Sequence, residues 1–391
     1  MRGIIKQVEV LVKRSPHLLR QGSKACRLLT AVLAVVFTSI AWAQSRENSR
    51  VEAEADKAEA AGHTDQALQL YAQALAEKPE WADGWWKYGG LLYRARRFQE
   101  AGQAFGRLIR LAPNNSLGFA LLGLCEYEQA DWGNAVLHLN KALNRGGLPN
   151  DIYGAAAYHL ALSLLRERDQ SAALLTLKLL FHHAPDYPGL ALALGAAELN
   201  LEEPPGPGSA AFPAAQAAAT AAVAVLNGQL PEAEKAYRYL VTEYPDQPYA
   251  HLSFGLFLEN EHRDEEAAKE FTAETKITTH SAVPWLWLAR VAMAQENPER
   301  ARSYVARARE FDPDEPLAFL IEGRSLMLEH RWQEALGPLQ KAEDRAPHSS
   351  EVHYALASVY AALHLGAEAE KERQLFLQAQ SVAAPGEDEK R

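Results

Sequence analysis

An alanine recurs every 34 residues through most of this 391-residue chain, and that period constrains the fold more than any other feature. The series runs Ala67, Ala101, Ala135, then, after four extra residues near 148–151, Ala173; it resumes as Ala233, Ala267, Ala301, Ala335 and Ala369. Twelve residues before each lies a second small residue: Ala55, Gly89, Gly123, Ala161, Ala221, Gly255, Ala289, Gly323 and Ala357. Around them apolar residues fall at helical spacing, as in Trp85, Tyr88, Gly89 and Leu92, followed by Ala101, Phe105 and Leu108. Two such stripes per period predict two amphipathic helices. A small residue on each lets the two approach closely, ridge into groove. Pro79, Pro113, Pro185, Pro245, Pro313 and Pro347 are expected to stop the second helices, because proline cannot continue one. The residues after four of them, Asn114, Asp186, Asp246 and Asp314, are predicted to cap the next first helix.

A two-helix unit of 34 residues with this pattern resembles the tetratricopeptide repeat. The stretch WWKYGGLLYRARRFQEAGQAFGRLIRLAP, residues 85–113, carries the resemblance most fully, with Trp85, Tyr88, Gly89, Tyr93, Ala101, Phe105 and Pro113. The resemblance extends over about 48–383 in nine full units, beginning near 48, 82, 116, 154, 214, 248, 282, 316 and 350. It implies an all-α fold, a right-handed superhelical solenoid of antiparallel helix pairs. Three departures stand out. Thr279 replaces a stop proline, Glu274 sits where an apolar residue is usual, and Arg373 replaces the aromatic of the last unit, whose polar second helix suits a cap on the stack.

The expected organisation is a signal peptide over 1–43, an N-terminal array over 44–200 (four full units and a half), a Pro/Gly-rich linker over 201–213, a five-unit array over 214–383 and a charged tail over 384–391. The half unit is 190–199, with Gly195 in the small position, and it reads as a first helix without its second. The segment EEPPGPGSAAFP after it, with Pro204, Pro205, Pro207 and Pro213, is not expected to be helical. It reads either as a decayed repeat closed by a loop or as a hinge or binding loop between the arrays.

Lys13, Arg14, Arg20, Lys24 and Arg27 lead into the apolar run LLTAVLAVVFTSIAWA, the order of a secretory signal, with Ala41-Trp42-Ala43 as the cleavage pattern. The mature chain is expected to begin at Gln44, exported to a bacterial periplasm; the alternative is an uncleaved anchor, for which the run is short. Beyond residue 43 the chain keeps 33 Lys and Arg against 49 Asp and Glu, a net charge of −16. Such an acidic chain disfavours nucleic acid as a partner. Cys125 is the only cysteine past the leader, so no internal disulfide can brace the fold and stability must come from packing.

The repeats occupy nearly all the residues that a catalytic domain would need, and neither a Gly-x-Ser-x-Gly nor a phosphate-loop pattern is present. No enzymatic activity and no cofactor are expected. The adjacent pair His182-His183 falls at the end of a second helix, where a cation suits the helix dipole, and no metal-ligand spacing accompanies it. Cys125 lies on a predicted first helix and reads as packing.

What remains is a surface. The resemblance implies that the first helices line a concave face whose ligand positions are the second, fifth, ninth, twelfth and thirteenth of each unit. Carried onto this chain, these are Trp86, Tyr93 and Arg94; Tyr127 and Glu128; Tyr158, Leu162 and Arg166; Tyr249, Leu252, Glu259 and Asn260; Arg290 and Met293; Arg324 and Met327; and Tyr354. Tyr, Trp, Arg and Met are enriched where binding energy concentrates. The Lys and Asn arrangement by which some members clamp a terminal carboxylate is not matched, since Asp83, Trp86 and Gly90 stand there. The expected function is a non-catalytic scaffold or adaptor of the cell envelope, holding another polypeptide in the groove without inserting in the membrane. The alternative is a structural component that self-associates as a homo-oligomer, and the third reading is an enzyme built around 187–213.

Overall fold

The computed structural model describes residues 50–383. The leader and mature start expected over 1–44 and the tail expected over 384–391 lie outside the described residues. The described chain is a succession of helices, with no strand among the described residues and no helix long and apolar enough to cross a membrane. It divides into two compact units, one up to Ala156 and one from Ala157.

The first unit contains α1 (50–60), α2 (Thr64–Glu77), α3 (Ala82–Arg94), α4 (Phe98–Leu111), α5 (Ser116–Glu128), α6 (Trp132–Arg145) and the start of α7 (Asn150–Arg166). The second contains the rest of α7, then α8 (Gln170–His183), α9 (Leu190–Glu198), α10 (Phe212–Leu226), α11 (Leu230–Glu243), α12 (Ala250–Asn260), α13 (Asp264–Ile277), α14 (Val283–Ala294), α15 (Pro298–Arg309), α16 (Pro316–Leu328), α17 (Trp332–Arg345), α18 (Ser350–Ala362) and α19 (Gly366–Ala383).

The registered alanines are the contact points of the pairs. Ala67, Ala101, Ala135, Ala173, Ala233, Ala267, Ala301 and Ala335 are all fully buried. Facing them, a methyl group on Gly89 would stand 2.8 Å from the Phe105 ring, and one on Gly255 would stand 2.5 Å from Phe271. The aromatic four residues after the alanine therefore fills the space that the small residue leaves open, which couples the two features of the pattern.

The turn inside each pair has one geometry. The fifteenth residue of every unit is left-handed, with φ between +51° and +77° at Gly62, Arg96, Ala130, Arg168, Asn200, Gly228, His262, Glu296, His330 and His364. Only two of these ten are glycine, so the other eight hold a conformation that disfavours L side chains. Asn200 places the half unit in the same register, starting near 186.

Helix ends depart in detail from the sequence expectation. The residue before five of the stop prolines, at Lys78, Ala112, Ala184, Tyr244 and Ala346, leaves the helical region and ends the second helix, as steric exclusion by the proline ring requires, whereas before Pro313 the helix already ends at Arg309. The predicted caps fall too early, because a turn after the proline delays the next helix. Asn115, not Asn114, caps α5 by accepting from Gly118 N at 2.9 Å. Gly189, Tyr249 and Glu315 are the N-caps of α9, α12 and α16. The chain also stops α13 at Thr278 without a proline.

The half unit is completed in an unexpected way. α9 does have a partner, namely α10: a methyl group on Gly195 would lie 2.1 Å from the Ala215 carbonyl oxygen and 2.7 Å from Ala219 N. On its other side α10 packs against α11, with Ala221 and Ala233 both fully buried. Eight buried alanines spread around α10 give it small surfaces in both directions, so one helix serves as second helix to α9 and as first helix to α11.

Candidate functional site

In the first unit, the candidate positions stand on α3 and α5, and each aromatic leans on its own helix pair. The Trp86 ring lies 6.1 Å from Phe105, Tyr93 meets Phe98 edge-on at 5.3 Å, and Tyr127 meets Trp132 edge-on at 5.1 Å. All three remain half-buried, which leaves part of each ring at the surface. Arg94 is exposed and ion-paired to Glu59 at 2.6 Å. Beside it Lys87 Nζ bonds Asp56 at 2.8 Å, and the buried Tyr71 hydroxyl lies between Asp56 and Glu59. Burial pushes the Asp56 carboxyl up, and the bonds from Lys87 and Tyr71 outweigh it, so that it titrates below its usual value.

In the second unit the candidates separate into three groups. Leu162 and Leu252 belong to the core, at 8 % and 3 % exposure, and present no surface to a ligand. Tyr158, Arg166 and Tyr249 are committed to local structure. Tyr158 packs on Tyr187 at 5.2 Å; Arg166 is ion-paired to Glu203 of the Pro-rich loop, next to an Arg168–Glu202 pair. These two pairs tie the loop to the end of α7. Tyr249 is the left-handed N-cap of α12, and its N–H donates to Glu274 at 2.8 Å. Glu274 also accepts from Leu252 N at 3.1 Å, so the acid in an apolar position is fully buried because it satisfies the free N–H groups of the next helix.

Arg290, Arg324 and Tyr354 form the third group. Arg290 and Arg324 occupy the ninth position of consecutive first helices, α14 and α16, which lie side by side. The Arg290 guanidinium stands 4.6 Å over the Trp287 ring, and Arg324 is exposed. Neither has a hydrogen-bond acceptor among the described residues, whereas Arg300, Arg302, Arg307, Arg309, Arg331 and Arg345 each do. Tyr354 is 62 % exposed, its ring 5.8 Å from Phe376. Of the remaining positions, Met293, Met327 and Glu259 are half-buried, and Glu128 and Asn260 are exposed.

Two further polar centres escaped the sequence reading. Glu198, at the end of α9, accepts the Tyr237 hydroxyl at 3.0 Å; burial pushes its carboxyl up to about 7, against the opposing effects of Tyr237 and Lys178. Two His–Glu pairs, His251 with Glu270 at 2.6 Å and His353 with Glu372 at 2.8 Å, occupy identical register positions 102 residues apart. The signal was available: a His at the fourth and a Glu at the twenty-third position of two units. Cys125 is fully buried, which raises its thiol to about 12, consistent with a packing residue. His182 and His183 are exposed at the end of α8.

Stacked pairs of antiparallel helices in a common register define an all-α repeat solenoid class. A tetratricopeptide-repeat family model matches residues 52–116 and 286–350, so the chain carries tetratricopeptide repeats there, and the pairs outside those segments repeat the same alanine and left-handed-turn register. None of the curated proteins compared with the chain matches it. Among solved structures, the chain is similar to the APC/C hetero-tetramer Cut9-Hcn1, at 12 % identity over 89 % of this chain and 90 % of that one, with a TM-score of 0.40. It is also similar to yeast Tom70, at 10 % identity over 86 % and 77 %, TM-score 0.38. A tetratricopeptide repeat protein from Parabacteroides merdae is 12 % identical over 71 % and 98 %, TM-score 0.34. Proteins of this repeat family are interaction scaffolds that bind other proteins or peptides.

Proposed function

We propose that this protein is an exported, non-catalytic scaffold of the cell envelope that holds an extended, acidic segment of another polypeptide along its first helices. One observation carries the choice of partner. Arg290 and Arg324 stand in register on neighbouring first helices without an acceptor among the described residues, in a chain where acidic residues outnumber basic ones and where the nearby arginines are satisfied. A guanidinium without a partner is well suited to bidentate pairing with a carboxylate, and the Trp287 face holds one of the two in place. Within the unit up to Ala156, and independently of those arginines, Trp86, Tyr93 and Tyr127 supply half-exposed aromatic anchors of the kind that dominate interface energetics.

The test is affinity capture from envelope extract with residues 44–391, run beside an Arg290→Ala/Arg324→Ala variant and a Trp86→Ala/Tyr93→Ala variant. A protein retained by the parent and lost by the arginine variant, with retention falling as salt rises, supports an acidic segment in the groove. Equal retention by all three refutes groove binding. Fractionation of cells, with sequencing of the purified N-terminus, tests export: the expected first residue is Gln44, and a cytoplasmic chain that retains 1–43 refutes it.

A second reading, self-association, is supported by Leu175 and Leu179, one turn apart on α8 and 60 % and 54 % exposed. A mass in solution that doubles with concentration and reverts to one chain in Leu175→Lys/Leu179→Lys would favour it.

A further inference from the structure

The two His–Glu pairs serve a structural purpose that explains almost all of their geometry. In each, the histidine stands on a first helix, and its Nδ1 faces a glutamate of the second helix of its own unit. His353 Nε2 lies 3.0 Å from the Pro347 carbonyl oxygen, six residues back, where the preceding unit ends. His251 bonds in the same way to the backbone of Pro245, also six residues back. Both corners therefore clamp one unit onto the end of the previous one.

The two corners differ in their further neighbours: Glu274, one turn after Glu270, also acts on His251, and Phe376 stands at that place in the later unit. In the corner of His353 the preceding second helix, α17, contributes Glu343; at the equivalent place beside His251, 102 residues earlier, α11 contributes Val241. The clamp does not need Glu343, as the His251 corner demonstrates. Glu343 accepts no hydrogen bond among the described residues, and it is half-buried beside a second carboxylate that is itself almost fully buried. Two carboxylates brought together in a sheltered place repel each other, and the positive group that meets them is Lys371, 3.6 Å from Glu372 on a side chain 70 % exposed.

We infer that Glu343, His353 and Glu372 form a binding site for a divalent transition-metal ion of the Zn²⁺ type, which ties the last helix pair of the array to the unit before it. One ligand atom from each residue lies within 4.8 Å of the other two. Ligand atoms around a tetrahedral Zn²⁺ at about 2 Å stand about 3.3 Å apart. A rotation of the half-exposed Glu343 side chain closes that gap, and His353 Nδ1 and Glu372, 2.8 Å apart in their hydrogen bond, separate by about 0.5 Å to reach the same spacing. The histidine is already oriented as a ligand. Its Nε2–H donates to the Pro347 carbonyl, which turns the Nδ1 lone pair toward the two acids, the outer-shell arrangement that metal-binding histidines use. On binding, the metal replaces the proton shared between His353 Nδ1 and Glu372, which is released to solvent, and a water takes the fourth position on the solvent side, next to Glu343. One nitrogen and two carboxylate oxygens suit Zn²⁺ better than Ca²⁺ or Mg²⁺, which prefer all-oxygen shells of six or more ligands. The three ligands come from α17, α18 and α19, so an occupied site joins the pair α18 and α19 to the unit before it.

The experiment is a Zn²⁺ titration by calorimetry of the full chain carrying His182→Ala and His183→Ala, which removes the exposed histidine pair, compared with the same chain carrying Glu343→Val in addition. Glu343→Val puts at this position the residue that stands at its equivalent, Val241, beside His251. The expected result is one Zn²⁺ bound per parent chain, at least tenfold weaker binding after Glu343→Val, and Zn²⁺-dependent slowing of hydrogen exchange in α19 in the parent alone. Co²⁺ substituted for Zn²⁺ should show the intense visible bands of a four-coordinate site in the parent. Equal Zn²⁺ affinity in the two chains, or no binding by the parent, overturns the assignment.

Discussion

Gly195→Ala tests the packing of α9 on α10 directly, because the added methyl meets backbone and not side chain. Its carbon would lie 2.1 Å from the Ala215 carbonyl oxygen, 2.7 Å from Ala219 N and 3.0 Å from Ala219 Cβ. Ordinary contact needs more than 3 Å, so α10 must retreat by about 1 Å, and α10 is held on its far side by α11. Overpacking of this kind destabilises by about 1–3 kcal/mol and more where the backbone must shift. Replacing a helical glycine returns about 1 kcal/mol of propensity, leaving a net loss of about 2 kcal/mol. Gly89→Ala is the matched comparison, because the atoms nearest its methyl all belong to the Phe105 ring, at 2.8–3.1 Å, and a ring can tilt; its net effect should lie near zero. Gly106→Ala, with nothing within 4 Å, should stabilise by up to about 1 kcal/mol. Urea unfolding followed by circular dichroism, with hydrogen exchange of the α9 and α10 amides, reads the three variants. If Gly195→Ala proves as stable as Gly89→Ala, α10 is not the partner of α9 and the close approach is wrong.

Ala301→Leu inserts three carbons at a fully buried pair contact and should lower stability by about 1–3 kcal/mol; an unchanged melting temperature would mean that Ala301 does not face its partner helix. Ala130→Gly relieves a left-handed alanine at φ +58° and should raise stability by about 1 kcal/mol in urea, whereas a loss would contradict the turn geometry. Glu198 binds its proton more tightly folded than unfolded, because burial raises its folded value to about 7 from an ordinary 4.5. Stability should therefore fall as pH rises from about 4.5 to 7, and the melting temperature of Glu198→Gln, measured from pH 4 to 8, should lose that part of the decline. A variant that tracks the wild type across the range would remove Glu198 as its source.

The ion pairs of the candidate face bear on how a partner can bind. Arg94 and Arg166 already hold Glu59 and Glu203, so an incoming carboxylate would have to displace an acid of the chain itself. Exposed pairs of this kind are worth little, and exchange of one carboxylate for another brings little net gain. Arg290 and Arg324 have no such competitor among the described residues, which concentrates the expected electrostatic contribution in α14 and α16.

The sequence by itself determined the helix pairs, their period and where most second helices end, because these follow from local geometry. A helix places residues three and four apart on one face, and a proline restricts the residue before it, whatever surrounds them. Nine registered alanines therefore carried the architecture without knowledge of a single contact. The tertiary structure decided which surfaces meet. That α10 serves both α9 and α11, that Glu274 satisfies the start of α12, that Leu162 is core, and that Glu343 joins the corner of His353 and Glu372 all depend on helices packed against one another in space. A helical repeat fixes the face on which a side chain stands. Only the packing of neighbouring helices fixes whether that face meets solvent, core or another charge.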